Sequence, residues 1–185
     1  MGVRHKVNSR AVFLDRDGVI NDAIVRDGKP YPPASIDEIA IPPDVPDALR
    51  RLAAAGFQLI VVSNQPDVTR GTLRREDVET INAHLRSSLS LDEFRTCFHD
   101  DHDSCDCRKP KAGLLMAAAA DRGIDLSQSF MVGDRWRDVA AGNAAGCTAI
   151  FIDRGYREQQ PALPFQRVRS LAEAADFILS TEGMA

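Results

Sequence analysis

The sequence predicts an α/β fold in which helices cover both faces of a central parallel sheet. Short apolar runs rich in β-branched and aromatic residues alternate with segments of helical spacing, which is typical of βαβ units. The runs are residues 12–14, 57–62, 130–132 and 148–152. The first two are followed directly by polar side chains and the third by Gly133 and then Asp134, and parallel strands bring such ends to one edge of the sheet. We therefore expect a three-layer, Rossmann-like sandwich with right-handed crossovers and a ligand site at that edge.

Length and composition limit the number of domains and the kind of partner. The chain has 185 residues, of which 44% are apolar, and this suits one domain spanning residues 1–185. The net charge of −4 comes with no basic block, so a small molecule is favoured over a nucleic acid. Residues 1–10 are polar, and no apolar run approaches the roughly 18 residues that a bilayer requires. We expect a cytoplasmic monomer with no membrane or nucleic-acid partner.

The first run ends in two aspartates, Asp15 and Asp17, and then Gly18. At a strand end, one carboxylate can act as a nucleophile while the other handles protons, and both can help to hold a divalent cation. The alternative is that Asp-x-Asp-Gly merely closes the strand with a turn, since both residue types are common in turns. The polar ends of the later strands favour the first interpretation.

Two later strand ends carry groups that suit a phosphate and a metal. Ser63-Asn64-Gln65 supplies uncharged donors that can bind phosphate oxygens, although alone it would be read as a polar loop. Asp134 can complete an oxygen-rich magnesium site with Asp15. Asp138 could cap a helix, hold a water molecule or bind the metal, and its role stays open.

Three of the four cysteines lie within residues 97–107. The pattern Cys-x-His followed by Cys-x-Cys supplies three thiolates and one imidazole, which form a closed tetrahedral set for structural zinc. The candidate ligands are Cys97, His99, Cys105 and Cys107. His102 is an alternative to His99, and a redox pair or chance clustering are the alternatives to zinc. A redox pair would not require a histidine at this spacing.

Arg108 and Lys109 follow the last of these cysteines directly. A lysine can neutralise both an aspartate and a phosphate oxygen, while a guanidinium can bind a second phosphate or sugar oxygens through two hydrogen bonds. Basic residues in such a run are otherwise often just solvated. The neighbouring metal loop favours a placement of both cations toward the site.

Taken in order, four motifs resemble those of the haloacid dehalogenase (HAD) superfamily of phosphatases, and in particular its small zinc-containing branch, subfamily IIIA. They are Asp15-x-Asp17-Gly-x-Ile-Asn, Ser63-Asn64-Gln65, Arg108-Lys109-Pro110 and Gly133-Asp134-x-x-x-Asp138. The resemblance covers roughly residues 11–156. It implies a HAD fold without a cap domain, because no segment is long enough to form one.

The resemblance also implies magnesium-dependent hydrolysis of a phosphate monoester through an aspartyl-phosphate. Asp15 would be the nucleophile and Asp17 the general acid and base, while Ser63 and Lys109 would bind the transferring phosphoryl group. Mg²⁺ would be held by Asp15, Asp17 and Asp134, and structural Zn²⁺ by Cys97, His99, Cys105 and Cys107. The residues expected to contact the substrate are Asn64, Gln65, Arg70, Arg108 and Arg135.

The substrate implied first is a bisphosphorylated heptose cleaved at position 7, which would place the protein in a pathway for surface polysaccharide. Arg108 beside Lys109 suits a sugar that carries a second phosphate. Histidinol phosphate and other sugar or polyol phosphates are alternatives, because Pro66-Asp67 stands where similar heptose enzymes usually have Ser-Gly. A phosphotransferase shares the first chemical step, and a catalytically silent phosphate- or metal-binding module is the non-enzyme alternative.

The remaining elements are predicted from caps and periodicity. Residues 21–43 contain five prolines and are predicted to form a loop at the mouth of the site. His84 is expected at the surface and Trp136 in packing at a helix start. Helices are predicted after an Asp44 cap up to Gly56, from Thr72 to Leu89, from Leu114 to near Gly123, after Asp138, and over residues 168–179.

Overall fold

The computed structural model describes residues 9–182, which form a six-stranded parallel sheet with helices on both faces. The strand order is β5-β4-β1-β6-β7-β8. The strands are β1 (Arg10–Leu14), β4 (Phe57–Asn64), β5 (Glu93–Cys97), β6 (Phe130–Gly133), β7 (Thr148–Ile152) and β8 (Gln166–Val168). A separate antiparallel hairpin consists of β2 (Ile24–Arg26) and β3 (Lys29–Tyr31). The predicted parallel α/β architecture is confirmed.

The helices form the outer layers of the sandwich. They are α1 (Val45–Ala54), α2 (Arg75–Ser88), α3 (Gly113–Arg122), α4 (Trp136–Ala145) and α5 (Leu171–Glu182), with short 3₁₀ helices at Ile36–Glu38 and Leu126–Gln128. Val12 and Leu14 of β1 pack on the side of α1, α2 and α5. Ala11 and Phe13 pack on the side of α3 and α4. Because both faces of β1 are buried, its sequence is a continuous apolar run.

Two of the predicted helix starts need correction. Asp44 does precede α1, but its carboxylate accepts a hydrogen bond from the Ala172 backbone N–H at the start of α5 and makes no cap bond to α1. Helix α2 begins at Arg75, not at Thr72. The Thr72 hydroxyl instead donates to the Asp67 carbonyl, 3.2 Å away, within the turn before the helix. Hydroxyl and carboxylate side chains compete in this way for any nearby backbone group.

The predicted loop over residues 21–43 is wrong in part, because it contains the β2–β3 hairpin. Asp27 and Gly28 both have positive φ, 52° and 75°, as the turn of a tight hairpin requires. Pro30 is tolerated because the hairpin has only two strands, so its missing N–H faces no neighbouring strand. The Arg157 backbone N–H donates to the Gly28 carbonyl, 2.8 Å away, and ties the hairpin to the segment after β7.

Strands β5 and β8 were not predicted from the sequence. Both lie at edges of the sheet and are only partly covered, so they lack the apolar run that marks the central strands. Between β1 and α1 the described chain holds only the hairpin and a 3₁₀ turn, which confirms that no cap domain is present there. Across residues 9–182, no helix is long and apolar enough to cross a membrane.

Candidate active site

Three carboxylates converge at the C-terminal edge of the sheet. Asp15 follows β1, Asp134 follows β6, and Asp138 lies in the first turn of α4. One carboxylate oxygen from each lies within 4.8 Å of the others. Asp15 is 8% exposed, and the other two are 1% exposed. Like charges this close and this buried require a cation among them.

Lys109 supplies one such cation. Its Nζ lies 2.9 Å from Asp15 Oδ1 and 2.6 Å from Asp138 Oδ1, and it donates to the Val62 carbonyl at 2.7 Å. Burial acts to lower the pKa of Lys109, but the charges of Asp138 and Asp15 outweigh it and raise the pKa above its ordinary value. Lys109 is therefore a permanent cation in the floor of the site.

The pKa of Asp15 is raised to about 6, from an ordinary value of 3.8. Burial is the largest cause, followed by repulsion from Asp138, and the Lys109 ammonium offsets part of both. The carboxylate form needed for nucleophilic attack is therefore favoured by any further positive charge that enters the site.

Asp134 provides the test of whether a divalent cation fits. Both of its carboxylate oxygens are buried, and the described chain gives them no hydrogen bond of full geometry, although the Tyr156 hydroxyl contacts the carboxylate and acts to lower its pKa. Burial first, and then the charges of Asp15 and Asp138, raise its pKa well above the ordinary value. A buried carboxylate in an oxygen-rich group, with oxygens that no well-formed hydrogen bond occupies, suits Mg²⁺, so the residues present fit this metal. Gly18, at φ 86°, is required beside it, because a Cβ there would lie 1.8 Å from Asp134 Oδ2.

Asp17 is not part of this group of carboxylates, and its role as a magnesium ligand stays a prediction. Its carboxylate instead receives four hydrogen bonds. Arg16 donates through Nε and Nη2, each at 3.0 Å, Asn21 donates at 3.0 Å and Gln65 at 2.9 Å. The Asp17 side chain is 16% exposed and lines the cleft, so these donors fix the direction in which it faces.

The Ser63-Asn64-Gln65 motif lies at the end of β4, as predicted. Ser63 lines the cleft, and its hydroxyl accepts from the Gln65 amide at 2.9 Å. Asn64 and Lys109 exchange two hydrogen bonds: the Asn64 amide donates to the Lys109 carbonyl at 2.9 Å, and the Lys109 N–H donates to Asn64 Oδ1 at 3.1 Å. The expectation that Asn64 and Gln65 contact the substrate stays a prediction. In this structure, their amides hold Lys109 and Asp17.

The four predicted zinc ligands also converge. Cys107 Sγ lies 3.1 Å from Cys97 Sγ and 3.2 Å from His99 Nδ1, and Cys105 Sγ lies 4.0 Å from Cys97 Sγ. His102 is not a member of this group. Burial raises the pKa of the Cys97 thiol, so a thiolate there needs a bound cation. Three soft sulfur ligands and one imidazole fit structural Zn²⁺.

The segment after Cys107, helix α4 and the turn after β4 bring arginines to the rim of the site. Arg108 Nε and Arg137 Nη1 lie 2.9 Å and 3.1 Å from the same oxygen, Oδ1 of Asp101. Arg70 pairs with Asp100 through two hydrogen bonds of 2.8 Å and 2.5 Å. These guanidinium groups, with Asp15 and Lys109, line a cleft of about 400 Å³.

Arg135 is also at this rim, where the sequence places it, but it is engaged by a residue that sequence reasoning missed. Its Nε lies 3.0 Å and its Nη2 2.5 Å from Glu158 Oε2. The Arg135 backbone N–H donates to Asp138 Oδ2 at 3.0 Å, so Asp138 both caps α4 and pairs with Lys109. Direct binding of the metal by Asp138 is not needed to explain its position. Sequence reasoning missed Arg16, Arg137 and Glu158. Arg137 and Glu158 pair with residues remote in the chain. Arg16 binds its neighbour Asp17, but its contact with Asn82 is 66 residues away.

Comparison with known proteins places the chain in a family. Residues 106–178 match the family described as HAD-hydrolase-like. A protein of Escherichia coli K12 named D-glycero-beta-D-manno-heptose-1,7-bisphosphate 7-phosphatase is 35% identical over 92% of this chain and 88% of its own length. A Pseudomonas aeruginosa protein of the same name is 34% identical over 78% of this chain and 81% of its own.

A solved structure agrees. The D,D-heptose 1,7-bisphosphate phosphatase of B. bronchiseptica, complexed with magnesium and phosphate, matches with a TM-score of 0.81 and 26% identity, covering 93% of this chain and 99% of that one. Fold and site together define a HAD-like phosphatase. Since curated relatives exceed 30% identity over most of both chains, this chain belongs to the family of heptose-bisphosphate phosphatases within the HAD-like hydrolases.

Proposed function

We propose that this chain removes the phosphate at position 7 of a D-glycero-D-manno-heptose 1,7-bisphosphate. The observation that carries the chemistry is the buried Asp15 carboxylate, paired with Lys109 and set beside the buried Asp134 carboxylate. The names of the relatives support the choice of sugar.

Asp15 is the nucleophile in this proposal. Its carboxylate attacks phosphorus in line with the leaving sugar oxygen, and the P–O bond to the sugar breaks as the aspartyl-phosphate forms. The Lys109 ammonium and the Ser63 hydroxyl stabilise charge on the phosphoryl oxygens. Mg²⁺, held by Asp15 and Asp134, with Asp17 as the further ligand that the sequence suggests, would neutralise charge on the same oxygens.

Asp17 is the general acid and then the general base in this proposal. It gives a proton to the departing sugar oxygen, then takes one from the water that hydrolyses the aspartyl-phosphate, so that inorganic phosphate leaves and Asp15 is restored. Its position in the cleft supports this role, and the hydrogen bonds from Arg16, Asn21 and Gln65 fix the direction in which its carboxylate faces.

The second phosphate of the substrate would bind at the rim. Arg108 and Arg137 converge on a single oxygen of Asp101, so two guanidinium groups already share one anionic partner. A phosphate, with more charge and more acceptor oxygens than a carboxylate, can replace Asp101 between them. This pairing supports a substrate with two phosphates over one with a single phosphate.

The experiment is a measurement of phosphate release with Mg²⁺ across a panel of esters. We expect the highest kcat/KM for one anomer of the heptose 1,7-bisphosphate, and lower values for histidinol phosphate and for hexose and pentose phosphates. A preference for histidinol phosphate would overturn the proposed substrate but not the chemistry. No release from any ester would overturn both, and transfer of phosphate to an added alcohol would identify a phosphotransferase.

Three further properties belong to this proposal. Zn²⁺ fills the Cys97, His99, Cys105 and Cys107 set and fixes the loop that carries Lys109. The chain works as a monomer, as the sequence predicts. It works in the cytoplasm, where protein thiols stay reduced. Its four cysteines, none of which forms a disulfide, are consistent with that compartment. Metal analysis, sedimentation and cell fractionation test these points in turn.

A further inference from the structure

Arg16, the residue between the two proposed catalytic aspartates, is completely buried. Two of its three guanidinium nitrogens, Nε and Nη2, donate to the two oxygens of Asp17. The side chain has no exposed surface, so it acts on the reaction through Asp17 and not by touching the substrate.

The third nitrogen points away from Asp17. Arg16 Nη1 donates to Oδ1 of Asn82 at 3.1 Å, and Asn82 lies on helix α2, 66 residues along the chain. The amide of Asn82 in turn lies 3.3 Å from the Thr96 hydroxyl on β5. Asn82 and Thr96 line a groove of about 630 Å³ between α2 and β5, which is separate from the catalytic cleft.

We propose that Asn82 is a positioning residue for the acid–base step, acting on Asp17 through Arg16; this rests on the proposed function. A guanidinium is planar, so fixing Nη1 also fixes the plane in which Nε and Nη2 meet the Asp17 carboxylate. The Asn82 side-chain oxygen accepts the hydrogen bond from Nη1, the guanidinium nitrogen that does not contact Asp17. Without it, a buried N–H loses its partner, and the guanidinium turns or draws water from the groove to satisfy it.

Loss of the Asn82 contact should slow the reaction only for substrates whose leaving group must be protonated. A sugar alkoxide is a poor leaving group and needs the proton of Asp17, whereas 4-nitrophenolate leaves as a stable anion and does not. Misplacing Asp17 should therefore slow formation of the aspartyl-phosphate from a sugar phosphate and spare its formation from 4-nitrophenyl phosphate.

The test is a single-turnover experiment with enzyme in excess, so that release of the alcohol reports only the first chemical step. Asn82→Ala should slow this step about 10-fold for the heptose bisphosphate, with the enzyme concentration that gives the half-maximal rate unchanged. The rate with 4-nitrophenyl phosphate should stay near the wild-type value. Asn82→Asp keeps an oxygen acceptor for Arg16 and should restore most of the rate with the sugar substrate.

The matched control is Ser87→Ala, on the same helix and lining the same groove, whose hydroxyl donates to the His84 carbonyl. It should leave both rates unchanged. Equal losses on both esters, or no loss on either, would overturn the positioning role, as would failure of Asn82→Asp to recover. If Asn82→Ala does not fold, Arg16→Lys serves instead. It keeps the positive charge but lacks the planar guanidinium with its several donors. It should show the same loss of rate with the sugar substrate alone. A wild-type chain that cleaves neither ester would instead overturn the proposed function.

Discussion

Lys109 Nζ lies 2.9 Å from Oδ1 of Asp15, and both side chains are almost completely buried. The same ammonium lies 2.6 Å from Asp138, so the proposed nucleophile and the cap of α4 share one cation. Breaking a buried pair of this kind leaves uncompensated charge, which is costly even where the intact pair adds little stability.

Lys109→Met should therefore destabilise the protein in magnesium-free buffer. We expect the free energy of unfolding, measured with urea, to fall by about 3–5 kcal/mol, because Asp15, Asp134 and Asp138 then repel one another. The matched control is Lys111→Met, whose half-exposed ammonium pairs with a fully exposed Asp106 and should change stability by less than about 1 kcal/mol. Equal effects of the two substitutions would contradict this account of the site.

The raised pKa of Asp15 predicts how stability depends on pH without Mg²⁺. Its folded pKa of about 6 exceeds the ordinary 3.8, so the folded protein binds this proton more tightly than the unfolded chain. The resulting stabilisation is fully present below pH 3.8 and is lost as pH rises to about 6, a change of about 3 kcal/mol. Asp15→Asn should lack this dependence, so its stability relative to wild type should rise across that window. A constant difference between the two proteins would refute the shift.

Removing two of the three cluster thiols should release the metal. Cys105→Ser combined with Cys107→Ser should reduce zinc content, measured by mass spectrometry, from about one ion per chain to near zero. It should also lower Tm and turnover, because Arg108 and Lys109 follow Cys107 directly. Cys147→Ala is the control. Because Cys147 lies outside the cluster, this variant should keep its zinc. Unchanged zinc in the double variant would mean that the ligand set is wrong.

Arg137 should affect binding of the second phosphate and not the chemistry. We expect Arg137→Ala to raise KM for the heptose bisphosphate about 10-fold, as loss of one charge-assisted hydrogen bond implies, with little change in kcat. KM for a sugar monophosphate should hardly change. Arg75→Ala is the control, because Arg75 pairs with Glu79 in the other groove. An equal rise in KM for both substrates would contradict this account, because Arg137 would then bind a part of the sugar phosphate that both substrates share.

The sequence was informative where function depends on local order. Asp15 and Asp134 each follow a buried strand, and such strand ends meet at one edge of a parallel sheet, so their approach could be predicted without coordinates. The cysteine and histidine spacing likewise indicated the metal group but left His99 and His102 as alternatives, and the structure places His99 with the three cysteines.

What the sequence could not supply were contacts between remote segments. Arg16 and Asn82 are 66 positions apart, and nothing in α2 marks Asn82 as more than a surface residue. Glu158 lies in an irregular segment where no periodicity applies. The β2–β3 hairpin is different, because its Asp27-Gly28 signal was present but was masked by the surrounding prolines.

The most direct test of the central claim is detection of a phosphoryl group on Asp15. The chain is mixed with Mg²⁺ and substrate labelled in the position 7 phosphate, quenched with acid within a turnover, and digested for mass spectrometry. We predict a label on the peptide that contains Asp15, removable by hydroxylamine as an acyl phosphate, and no label in Asp15→Asn. Turnover by the wild type without any labelled peptide, or a label that persists in Asp15→Asn, would contradict the account.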